Sequence, residues 1–111
     1  MGERATFQVV SEDDFSPIGY VHWLGESMSD LIQQAAPDMR KSDHAYAFAR
    51  LCGYIHTQQA GPLSFGVHNT DHIHESDEWG CDWGHFKIDL LTGTVTNEGE
   101  IVLKDLPLSL Q

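Results

Sequence analysis

The chain is expected to fold as an α+β protein, with two helices packed on one face of a small, mostly antiparallel sheet of four to five strands. Three observations predict it. Apolar residues recur at helical spacing in two neighbouring stretches between residues 28 and 59. Short runs that alternate or favour β structure lie near the N-terminus and after residue 85. Turn signals separate the later runs closely, so those strands double back on one another. Helices grouped ahead of returning strands indicate α+β rather than alternating βαβ units. At 111 residues with 41% apolar content, residues 1–111 suit a single compact domain.

The elements follow in order. Thr6 to Val10 is β-prone, with Phe7 and Val9 on one face. Ser11 to Asp14 is acidic and reads as a loop, which Pro17 to Gly19 continues. Tyr20 to Leu24 fits a helical turn or a short strand. Ser27 stands as an N-cap, and Asp30 occupies the place where a capping box carries Glu or Gln. Met28, Leu31, Ile32, Ala35 and Ala36 then form a helical stripe that Pro37 ends.

A second helix is expected from Ser42 or Asp43 to about Gln59. Ala45, Ala47, Phe48, Ala49, Leu51, Cys52, Tyr54 and Ile55 surround most of its axis, so it is predicted to be the most buried element. Gly53 weakens a helix by about 1 kcal/mol relative to Ala, which predicts a close-packing role for it. Gly61 and Pro62 stop the helix, and Leu63 to Val67 reads as a strand. Phe86, Ile88 and Leu90 alternate with Lys87 and Asp89, a half-buried strand that turns at Thr92-Gly93 into Thr94 to Thr96. Asn97 to Gly99 turns again, and Ile101 and Leu103 continue the meander. Residues 107–111, from Pro107 on, form an edge strand or an irregular tail.

Charge bounds the function. Seventeen acids oppose six bases, for a net charge of −11. Such a field repels nucleic acid and anionic membranes and attracts cationic proteins or metal ions. No apolar run approaches the roughly 18 residues of a membrane span. Met1 to Thr6 carries no apolar leader core, and Cys52 and Cys81 are too few to staple a fold of this size. A reducing, cytoplasmic setting is therefore expected.

One stretch could carry chemistry. Residues 68–85 hold four of the seven histidines, five carboxylates, one cysteine and two tryptophans, with no Lys or Arg. This segment is expected to be an acidic loop. Imidazole, thiolate and carboxylate are the ligands of zinc and other transition metals. His72 and His74 share a side of an extended segment, and His68 or His85 could complete a three-ligand site open to water. His68, His72 and His74 are the candidate metal ligands. No H-E-x-x-H, paired C-x-x-C or EF-hand spacing accompanies them. No G-x-S-x-G, phosphate-binding glycine loop or legible nucleophile–base pair occurs either, so catalytic residues are not assigned and the chain leans away from being an enzyme.

The same segment supports a different use. Asp71, Glu75, Asp77, Glu78 and Asp82 make an acidic surface around Trp79 and Trp83. Tryptophan is enriched at interface hot spots, and flanking carboxylates select a basic partner. In size and acidity the chain resembles small inhibitor proteins: immunity proteins, phage anti-defence proteins and nucleic-acid mimics. The resemblance is one of character and carries no motif. It implies a binding or inhibitor protein that occupies a basic surface of a protein or nucleic-acid-processing complex; no cofactor is expected, unless zinc or another transition metal occupies the histidine cluster. The alternative is a metal-binding protein or metal-dependent hydrolase built on the histidine cluster.

Overall fold

A computed structural model describes residues 3–58, 65–68 and 83–109. Strands β1 (Ala5–Ser11), β2 (Asp14–Phe15) and β3 (Ile18–Val21) precede helices α1 (Met28–Ala35) and α2 (His44–Gln58). Four strands follow: β4 (Phe65–His68), β5 (His85–Asp89), β6 (Thr94–Asn97) and β7 (Glu100–Leu103). They form one sheet in the order β4-β3-β1-β5-β6-β7, with β2 paired to β1 beside this path. The chain is thus α+β, with seven strands among the described residues where four to five were expected.

The added strands draw mainly on residues 11–19, which the sequence presents as loop, while Tyr20 and Val21 belong to the stretch read as a helical turn or a short strand. Glu12 adopts the left-handed conformation (φ 54°), and Ser11 pairs with Asp14 across the resulting turn. The ladder is made by backbone groups, so polar side chains at the sheet periphery do not prevent it. Ser16 secures the return: its amide donates to the Val9 carbonyl (2.9 Å) and its hydroxyl accepts from the Val9 amide (3.0 Å).

β1 lies at the centre, antiparallel to β3 and parallel to β5. Every residue from Ala5 to Val9 is buried. β1, with five of its seven residues buried, is therefore more completely buried than α2, which buries four of fifteen. Ala5, Phe7 and Val9 join a core with Val21, Met28, Ile32, Leu51, Ile55, Phe86 and Ile88. The Phe7 ring packs 5.5 Å from Phe48 and 6.4 Å from Phe65, so one side chain of β1 ties α2 to β4.

The helices form near their expected positions for partly different reasons. Ser27 precedes α1 but makes no side-chain cap bond, and single turns of 3-10 helix flank α1 at Gly25–Ser27 and Ala36–Asp38. At α2, Asp43 caps the first turn by accepting from the Tyr46 amide at 3.0 Å. α2 buries Ala47, Phe48, Leu51 and Ile55, whereas Ala45, Ala49 and Gly53 are exposed. A side chain at Gly53 would meet no atom within 4 Å, so the packing role predicted for it is absent among the described residues. Gly53→Ala is expected to stabilise the fold by about 0.5–1 kcal/mol in denaturant titration, because helix propensity gains and nothing is displaced. A loss of stability would show that the glycine is packed after all.

The C-terminal meander ends as the turn residues require. Glu98 and Gly99 both take positive φ (55° and 87°), the two-residue turn that suits the twist of a hairpin. After Pro107 the chain is irregular until Ser109, whose amide donates to the Met39 carbonyl at 2.8 Å. Among the described residues, no helix is long and apolar enough to cross a membrane.

Candidate functional site

The segment singled out in the sequence joins two strands that run in the same direction. β4 is antiparallel to β3, β3 is antiparallel to β1, and β1 is parallel to β5. β3 and β1 lie between β4 and β5, so the ends of the segment attach roughly 14 Å apart across the sheet. Asp71, His72, His74, Glu75, Asp77, Glu78, Trp79, Cys81 and Asp82 lie outside the described residues. His68, Trp83 and His85 are described, and they differ sharply.

His68 is exposed at the end of edge strand β4, paired with Ile18. It borders an open groove of about 340 Å³ with Tyr20, Gly66 and Val67. His85 is 7% exposed, and its Nδ1 shares a 2.7 Å hydrogen bond with the Thr6 hydroxyl. The separation of β4 from β5 keeps His68 and His85 from ligating one ion together, since two imidazoles on one metal approach within a few ångströms. Among the described residues, no group of three His, Cys, Asp or Glu side chains is placed to hold a metal ion.

Trp83 is fixed through its backbone. Its amide donates to the Arg4 carbonyl (2.8 Å), and its carbonyl accepts from the Asn97 side-chain amide (2.8 Å). The next carbonyl, of Gly84, accepts from the Thr6 amide at 3.1 Å. The indole lies against Gly25, where an added Cβ would come within 2.6 Å of Trp83 Cδ1. With its main chain held and one side of its ring seated, Trp83 still leaves 42% of its surface exposed.

The end of the sheet where β1 begins gathers further side chains that the sequence reading did not join. The Gly25 amide donates to the Glu3 carbonyl and the Glu3 amide to the His22 carbonyl, both at 2.8 Å. This sets the Glu3 and Gly25 backbones beside Trp83, with Trp23 and Glu26 adjacent to them in sequence. Trp23 is 47% exposed and stands edge-on to His22, with ring centroids 4.4 Å apart. His22 is held in turn by the Tyr20 hydroxyl, 2.8 Å from its Nδ1. Trp23 follows a strand and precedes Gly25, the one local signal that could have marked it.

Among the described residues there is also a free thiol, Cys52, part-buried on α2. Burial pushes its thiol up to about 11 from 9.0. The folded state therefore holds this proton more tightly than the unfolded chain. The stabilisation is complete below the unfolded value and is lost as pH rises from about 9 towards 11. Alkylation of Cys52 in native protein at pH 8 is expected to be much slower than in urea. Equal rates would place the thiol at the surface.

Comparison with protein families, curated proteins and solved structures finds no match for this chain. The functional reading accordingly rests on charge and geometry.

Proposed function

We propose that this chain is a small acidic binding protein that occupies a basic surface of a partner protein, as immunity, anti-defence and nucleic-acid-mimic proteins do. One observation carries the reading. The block from Asp71 to Asp82 has five acids and no Lys or Arg, and it runs directly into Trp83, a half-exposed ring on a fixed backbone. A pre-positioned indole loses little freedom on binding, and the carboxylates that precede it in sequence would steer a cationic surface towards it. In this reading Trp23, Glu3 and Glu26 extend the same surface. Residues of both helices share the core cluster with Ala5, Phe7 and Val9, and Trp83 and Trp23 keep exposed ring surface near the start of β1. The partner is a basic protein or a component of a nucleic-acid-processing complex in the cytoplasm.

The test is binding kinetics against the partner that copurifies from the native host, at several salt concentrations. Trp83→Ala should speed dissociation by about 30-fold, the scale of a central aromatic anchor. Glu75→Lys with Asp77→Lys should slow association by about tenfold and flatten its salt dependence. An association rate that ignores both salt and the double substitution would make the acidic block a solvated bystander.

A further inference from the structure

α2 and the segment just before it turn a second group of charged side chains outward, three of them basic. Three of the six basic residues, Arg40, Lys41 and Arg50, fall within eleven positions of each other. Arg40 and Arg50 both stack on Tyr46, with guanidinium carbons 4.3 and 4.6 Å from the ring centre. Arg50 also donates to the Tyr46 hydroxyl. Two positive charges are thus held within about 9 Å of each other, close to the Debye length at physiological salt. The chain has seventeen carboxylates, yet among the described residues neither guanidinium meets one. Cation–π contact with one ring orients the pair but does not neutralise it.

A groove of about 300 Å³ opens beside Arg50, lined also by Asp38, Ala49, Gly53, Tyr54 and Thr57. Its floor is low because Ala49 and Gly53 present almost no side chain. One wall is ordered: the Tyr54 hydroxyl donates to Asp38 Oδ2 at 2.9 Å. The same hydrogen bond and the Asp38 charge raise the Tyr54 pKa, so this phenol remains a donor at neutral pH. The other Asp38 oxygen has no partner among the described residues.

We propose that this face of α2 binds a phosphate monoester of a small hydroxylated molecule. A monoester carries about −1.5 to −2 charges at pH 7 and three acceptor oxygens, which match two guanidiniums where a single carboxylate would satisfy one. The organic part occupies the groove, and its hydroxyls donate to Asp38. Nucleic acid is a poor fit, since a long polyanion meets the whole field of a −11 protein, whereas a small ester meets only the local one. That field still opposes an anion, so binding is modest and short-ranged.

The experiment is an amide and arginine side-chain NMR titration with ribose 5-phosphate, inorganic phosphate and phosphoserine. Ribose 5-phosphate should give saturable shifts at Gly53, Arg40 and Arg50. R40Q and R50Q should each weaken it about tenfold, the loss of a charge-assisted contact. Both side chains are exposed, so an unchanged far-UV spectrum confirms that these variants fold. D38A should weaken ribose 5-phosphate yet tighten inorganic phosphate, because it removes both a hydroxyl acceptor and a like charge. Affinity should rise as pH passes through about 6, where the dianion forms. Unsaturable shifts, shifts that persist in the double Gln variant, or shifts mapping away from α2 would overturn the site. Tighter binding of phosphoserine than of ribose 5-phosphate would overturn the assignment to a small hydroxylated ester.

Discussion

Phe7→Ala is expected to lower the unfolding free energy by about 3–5 kcal/mol, the usual loss for deleting a buried phenyl ring. For a domain whose whole stability is about 5–15 kcal/mol, this brings the chain close to unfolding. Phe7 is 0% exposed and touches the rings of both Phe48 and Phe65, so no single neighbour can fill the void. The site is tight on its other side as well. A Cβ on Gly19, the β3 residue paired with Phe7, would fall 2.1 Å from Phe7 Cζ. Gly19→Ala should therefore cost about 1–3 kcal/mol by overpacking. The two changes are coupled. In a Phe7→Leu background, Gly19→Ala should be close to neutral, because the atoms it strikes are gone. Chemical denaturation of the four proteins of this cycle checks the argument, and strictly additive effects would refute the contact.

Gly84→Ala is expected to cost about 2–3 kcal/mol through two local causes. Gly84 has φ +78°, a left-handed conformation that penalises a side chain by about 1–2 kcal/mol. A Cβ there would also lie 2.2 Å from Asn97 Oδ1, displacing the amide that donates to the Trp83 carbonyl and forfeiting about 1 kcal/mol. Asn97→Ala alone should cost only the second part, and Gly84→Ala added to it should cost only the first. Denaturant titration with tryptophan fluorescence reads both stability and the seating of Trp83. A Gly84→Ala protein as stable as the parent would show that this turn relaxes freely.

Local patterns were legible in the sequence, and non-local pairings were not. Leu31, Ile32, Ala35, Phe48, Leu51 and Ile55 sit at helical spacing, and both helices are where that spacing puts them. Phe86 and Ile88 alternate with polar residues, and β5 buries them as alternation requires. β2 was illegible because Asp14 and Phe15 pair through their backbones, and their side chains carry no alternation. The outer face of α2 was misread because Ala45, Ala49 and Gly53 look like packing residues whether or not anything packs on them. At the site, one stretch of sequence suggested one cluster. His68 and His85 end on strands with two others between them, and strand order is not written in local composition. Trp23 and Trp83 were not joined for the converse reason: sixty residues separate two side chains that the fold brings to one end of the sheet.

The parallel ladder between β1 and β5 also bears on how the chain comes to be folded at all. Thr6 and His85 share a hydrogen bond across a separation of 79 residues, and the register continues from Phe7–Phe86 to Val10–Asp89. During synthesis β1 leaves the ribosome long before β5 exists. Until then it can pair only with β2 and β3, and one full row of its amides and carbonyls has no strand to meet. Closing so long a loop is slow, because its entropy must be lost before the contacts form. The central strand of the sheet thus waits, one edge open, for the stretch of translation that delivers its neighbour. A nascent chain stalled before residue 85 presents that edge unpaired, the kind of edge that invites pairing with other chains.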